Sequence, residues 1–136
     1  MLTIIRFEDI EAWPTARELT RMVYALTDPG SFAKDFGLKN QIQRASVSIM
    51  SNIAEGFESR TQGQFLEYLE DAKASAGEVR CQLYIAIDLK YLNQEQFKQV
   101  FDLADKYSQQ IARFMKYLET HPQSRRVQEE GSEYAV

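Results

Sequence analysis

Apolar positions recur along this chain at steps of three and four, with no alternating strand pattern between them, so the sequence predicts helices. In the first segment, from Ile10 to Leu26, Trp13, Ala16, Leu19, Val23 and Leu26 fall on one helical face. Pro14 lacks an amide hydrogen and belongs in a first turn, which puts the start of the regular helix near Glu11 or Ala12. Asp28, Pro29 and Gly30 stop it. The linker 31–37 is expected to hold a partial turn, and Gly37 to mark a break before a second helix from Leu38 to about Phe57. Ile42, Ala45, Ile49 and Ile53 form its inward stripe, and Gly56 is expected to close it in a left-handed conformation. Thr61 and Gln64 have the spacing of a capping box. The long third helix that follows carries Phe65, Leu69, Ala72, Ala76, Val79, Leu83 and Ala86 on one face and runs to about Tyr91, a length of about 40 Å. Asn93 can cap a fourth, whose stripe of Phe97, Val100, Phe101, Ala104, Tyr107, Ile111, Phe114, Met115 and Leu118 opposes Lys98, Asp102, Asp105, Gln109, Arg113 and Lys116. His121 and Pro122 end it. The expected fold is all-α, an antiparallel up-and-down four-helix bundle over residues 1–120, with a polar flexible tail over 121–136.

Two stretches break the usual division between inside and outside. Between Gln41 and Ala54 the only charge is Arg44. A helix with one face in water ordinarily carries more charge than that. Small residues here allow close approach to Ala72, Ala74, Ser75, Ala76 and Gly77 across the hairpin. That accounts for part of the pattern, but the end of the third helix is apolar on more than one side, through Val79, Cys81, Leu83, Tyr84, Ile85, Ala86, Ile87 and Leu89. One bundle has one interior, and the surplus predicts contact between copies of the chain. Val47, Met50, Cys81, Tyr84 and Ile85 are the candidate oligomer interface.

Composition narrows the functional classes. The chain has 136 residues, 16 Lys and Arg against 20 Asp and Glu, and a formal charge of -4. This acidic balance disfavours RNA as a partner, because affinity for a phosphate backbone grows with the cations presented. The RNA contacts to test are Arg17 and Arg21 on one helix and Arg113 and Lys116 on another. A single cysteine, Cys81, leaves no internal disulfide or cysteine zinc cluster, so the expected setting is the cytoplasm. Neither a signal peptide in Met1–Phe7 nor a membrane-spanning stretch is expected.

The chain carries few residues in patterns that support chemistry. A di-metal bundle site needs Glu-x-x-His pairs, and the one histidine is His121. No Walker A, Gly-x-Gly-x-x-Gly or His-Glu-x-x-His motif occurs. Cys81 lies mid-helix without a histidine in its segment and is taken as a packing residue. Glu67, Glu70 and Asp71 suit a solvated face. No catalytic constellation, metal or cofactor is expected. The polar residues that stand out are Gln41, Arg44, Asn52, Glu55, Ser75 and Glu78. Antiparallel pairing brings Arg44 toward Glu78, a reach suited to an ion pair that fixes helix register. The alternative is a polar cleft that binds a ligand.

The stretch Gln41-Ile42-Gln43-Arg44-Ala45, the run Ser48-Ile49-Met50-Ser51-Asn52-Ile53-Ala54-Glu55-Gly56, then Phe65, Leu69 and Ala74-Ser75-Ala76-Gly77-Glu78 resemble a bacterial four-helix-bundle family. Its members are encoded by intervening sequences in large-subunit ribosomal RNA genes and were formerly labelled ribosomal proteins. The similarity extends from about Phe7 to Leu118. It implies an up-and-down bundle that forms ring-like homopentamers, and implies little about activity. The family is distantly related to accessory variability proteins of retroelements, in which a basic pentamer engages a reverse transcriptase and RNA. Three functions therefore compete: a non-enzymatic oligomeric interaction or scaffold protein with a protein partner, an RNA-binding or reverse-transcriptase accessory protein, and, last in order, an unrecognised enzyme or small-ligand binder using Arg44, Glu55 and Glu78.

Overall fold

The computed structural model describes residues 4–122, and the flexible tail expected over 121–136 lies, from residue 123 onward, outside the described residues. Among those described there are five α-helices and a short 3-10 turn, Phe7–Asp9. The turn lays Phe7 edge-on against Trp13, with ring centroids 5.2 Å apart. It also buries Ile10.

Helix α1 spans Ala12–Thr27. Pro14 sits in its first turn, where its missing donor leaves no helical hydrogen bond unmade. The partial turn expected in the linker is a five-residue helix, α2, Gly30–Lys34. Gly30 opens it at φ 66, and Phe32 is buried in the core.

Helix α3 runs Phe36–Phe57, and both glycines expected at its ends do something else. The break lies at Asp35, whose Oδ1 accepts the Leu38 amide at 3.1 Å. Gly37 is thus inside the first turn. Gly56 does not close the helix with a left-handed backbone, since the only positive-φ glycine among the described residues is Gly30. It lies where α3 meets α4. A Cβ at position 56 would stand 2.7 Å from the Tyr68 Cβ and 3.0 Å from the Phe65 ring. The reason for glycine is close approach between helices.

Helix α4 spans Gln62–Asp88 and α5 spans Gln94–Thr120. Both open with full capping boxes, Thr61 with Gln64 and Asn93 with Gln96. Each box satisfies orphan backbone donors reciprocally. The end of α4, three residues earlier than the apolar stripe suggested, is set by backbone geometry. Lys90 adopts φ 63, the Tyr91 amide donates to Ala86 O at 2.9 Å and the Lys90 amide to Ile87 O at 3.0 Å. This is the Schellman arrangement. It delivers Tyr91 to the α2–α3 joint, where its ring stacks on Phe32 at 5.1 Å and its hydroxyl donates to Asp35 Oδ2 at 2.9 Å.

The long helices touch in a closed circuit, α1 to α3, α3 to α4, α4 to α5 and α5 to α1. Cross-helix pairs give their directions. Gln82 reaches Gln41 and Ser75 reaches Ser48, so α3 and α4 run oppositely. Gln62 Nε2 donates to Leu118 O at 2.9 Å, while Arg80 bonds Ser108, which sets α4 against α5. Gln43 reaches Thr27 at 2.9 Å and Thr20 donates to Ser46 O at 3.1 Å, so α1 and α3 also run oppositely. Inside the circuit lie Leu19, Ile49, Ile53, Phe65, Leu69, Val79, Leu83, Ala104, Tyr107 and Ile111, all buried.

Candidate functional site

The surface that departs most from an ordinary solvated one is the outside of the α3–α4 hairpin and its junction with α1. A period of about 100° per residue directs Ile42, Ala45, Ile49 and Ile53 inward, and Gln41, Ser48 and Asn52 toward α4. These polar side chains are satisfied locally. Asn52 Nδ2 donates to Ser48 O and Ser48 Oγ, both at 2.9 Å. The Ser75 hydroxyl donates to Ser48 Oγ at 3.1 Å, linking the two helices. Gln82 Nε2 approaches Gln41 Oε1 at 3.5 Å. A line of serine, asparagine and glutamine side chains therefore holds the register of α3 on α4, with Gln82 Oε1 left buried without a partner, and it includes Ser48 and Gln82, which are not among the polar residues that stand out in the sequence.

Arg44 and Glu78 do share a cleft, of about 280 Å³, with Gln41, Ala45, Ser48 and Ser75. The expected ion pair between them does not form. Among the described residues the four ion pairs are Arg6–Asp9, Arg21–Glu18, Lys98–Asp102 and Arg113–Glu11. Arg44 and Glu78 are both exposed, so water solvates each charge and little is gained by pairing. Glu55 is likewise exposed and lies outside this cleft. Arg44 also borders a larger groove between α1 and α3, about 520 Å³, lined by Tyr24, Asn40, Gln43, Val47 and Ser48. Tyr24, Asn40 and Gln43 carry no signal in the sequence, since a groove between helices is invisible in the periodicity of either helix.

The candidate interface residues divide. Val47 is 40% exposed, Tyr84 54% and Ile85 43%, and Leu89 beyond them 51%. Met50 is half-buried against the core. Cys81, read as a packing residue, is exposed. Val79, Leu83 and Ala86 fix the inward direction of α4, and position 81 then points outward. Tyr84 is braced from below, with its ring 5.4 Å from both Phe97 and Phe101 of α5. Val47 faces the groove beside α1, so these exposed apolar residues do not all lie on one face of the hairpin.

The candidate nucleic-acid contacts are mostly engaged within the chain. Arg17 lies 6.0 Å over the Trp13 ring. Arg21 pairs with Glu18 at 2.8 Å and Arg113 with Glu11 at 3.6 Å. Lys116 is exposed on the outer face of α5. The acids interleaved with these cations reduce the potential any phosphate would meet.

Among the described residues, no group of three or more His, Cys, Asp or Glu is placed to hold a metal ion. No helix among them is long and apolar enough to cross a membrane. The most perturbed titratable group is Tyr107, whose ionisation burial pushes far above its usual range. Its hydroxyl is enclosed without a hydrogen-bond partner, in the interior rather than in either surface cleft.

A family model described as 23S rRNA-intervening sequence protein matches residues 8–113. The fold is similar to the crystal structure of a protein with unknown function from the S23 ribosomal protein family of Bacteroides thetaiotaomicron. That similarity has a TM-score of 0.71 at 23% identity and covers 77% of this chain and 95% of that one. No curated protein matches.

Proposed function

Because the chain belongs to the 23S rRNA-intervening sequence protein family, we propose that it is a non-enzymatic assembly module. In this reading it is an up-and-down four-helix bundle that associates with copies of itself into a ring, five-membered as the resemblance implies, and offers a repeated surface to a protein partner in the cytoplasm. The observation that carries the proposal is the outer surface of α3 and α4. Tyr84, Ile85, Leu89 and Val47 stay exposed in the single chain, beside a helix whose residues 41–54 hold one charge. Apolar surface of this kind gains free energy when covered, at about 25 cal/mol per Å². Sparse charge lowers the desolvation penalty of covering it.

An RNA-contacting role draws less support. Its cations are few, and three of the four candidates already meet an acid or an aromatic ring.

Light scattering after gel filtration, with absorbance read at two wavelengths, tests the assignment. A nucleic-acid-free species near five chains that persists at high salt is the expected result, since apolar contacts are not screened. A monomer at all concentrations refutes it. RNA co-eluting at low salt and lost at high salt would transfer the assignment to the RNA-contacting role.

A further inference from the structure

Arg44 stands alone among acids and bases on its part of α3. Its side chain is exposed, forms no hydrogen bond or ion pair among the described residues, and sits at the rim of the α1–α3 groove. That groove combines one cation with the half-exposed apolar surface of Tyr24 and Val47. The matching chemistry occurs at the far end of α4. About 100° per residue places Cys81, Tyr84, Ile85 and Asp88 together on its outward face, with Asp88 between the directions of Tyr84 and Ile85. Asp88 is the last residue of α4, where the carbonyl ends of the helix already concentrate negative charge. No basic side chain lies in that turn to offset it. Its carboxylate is exposed and makes no ion pair among the described residues. One surface is thus an apolar-sided groove with an unanswered cation, and the other an apolar ridge with an unanswered anion.

We propose that the α4 ridge of one copy seats in the α1–α3 groove of a second copy, with Asp88 meeting Arg44 and with Tyr84 and Ile85 covering Tyr24 and Val47. This rests on the self-assembly reading above and adds to it the surfaces and the polarity of the contact. The acids that line the other two clefts fit less well. Glu78 already shares a cleft with Arg44 in its own chain without pairing, and Glu67 and Asp71 line a separate cleft with Gln64 and Tyr68. Groove and ridge are different surfaces of one chain, so the contact is heterologous. Each bound copy keeps a free groove or ridge for the next, and repetition closes a ring or extends a filament.

Charge reversal tests the pairing. Arg44→Glu and Asp88→Lys are made singly and together, with circular dichroism to verify that each remains helical, and mass is followed by light scattering against concentration. Each single variant is expected to dissociate at a concentration at least about tenfold higher than the wild type, as expected for like charges at a contact. The double variant should regain the wild-type mass, and an equimolar mixture of the two singles should associate at lower concentration than either single alone, with one like-charged contact left in an odd-membered ring. A folding defect cannot produce that recovery on mixing. A wild-type oligomer whose mass survives both single reversals, or a loss that neither the double variant nor mixing restores, overturns the contact and leaves the assembly reading intact. A monomeric wild type overturns the assembly reading itself, and the contact with it.

Discussion

At the scale of single residues, two positions in the interior have opposite signs. Gly56 tolerates no side chain, because the first atom added would meet the Tyr68 Cβ at 2.7 Å, and neither atom can swing away. Alanine is the better helix former by about 1 kcal/mol, yet overpacking of this kind costs about 1–3 kcal/mol. Gly56→Ala should therefore lower stability by up to about 2 kcal/mol, seen as a lower urea midpoint with an unchanged slope. Tyr107 is the reverse case. Its hydroxyl is buried without a partner, so Tyr107→Phe removes a desolvation penalty and should be neutral or stabilising by about 1 kcal/mol. The same burial makes stability depend on pH. The folded ionisation lies well above the ordinary value of 10.0, so the folded state keeps the proton where the unfolded chain releases it. That contribution is complete below pH 10 and is lost as pH rises beyond it. The wild type should lose stability between about pH 10 and 11.5 more steeply than Tyr107→Phe in urea titrations. The place of Tyr107 in the apolar stripe is legible in the sequence. The unmet hydroxyl is not, since partners come from neighbouring helices.

At the scale of elements, the starts of α4 and α5 were the most readable of the helix ends. Thr61 with Gln64, and Asn93, announce starts because their chemistry is local, and the structure has both boxes complete. Thr61→Ala and Asn93→Ala should each cost about 1 kcal/mol in thermal or chemical melts. The starts of α2 and α3 were less legible. Asp35 caps α3 and also receives the hydroxyl of Tyr91, 56 positions away. A spacing rule detects the first of these roles but not the second. Asp35→Ala and Tyr91→Phe, combined in a double-mutant cycle, should show a coupling of about 0.5–1.5 kcal/mol, and additivity would mean the bond contributes nothing. The stop of α4 belongs to the same class. Lys90 holds a left-handed backbone at φ 63, which a residue with a Cβ adopts at a cost of about 1 kcal/mol. Lys90→Gly should recover part of that cost and raise the melting temperature.

At the scale of the whole molecule, the all-helical character and the four long segments follow from apolar periods that each helix carries by itself. The relation of those helices to one another is less legible, because it depends on groups that meet across them. Ser48 with Ser75 fixes register where an Arg44–Glu78 pair was expected. The groove edged by Tyr24 and Val47 likewise exists only once α1 lies on α3. Surplus apolar surface was visible as a quantity before its position was known. Tyr84 and Ile85 are in fact exposed, and Met50 is drawn against the core. The single thiol then acquires a use unrelated to packing. Cys81 is exposed on the outward face of α4, beside the ridge that a neighbouring copy would cover, and no second cysteine competes with it. A thiol-reactive dye should label a free chain quickly and an assembled one slowly. The dependence of labelling half-time on protein concentration then becomes a clock for subunit dissociation, read from the unaltered sequence.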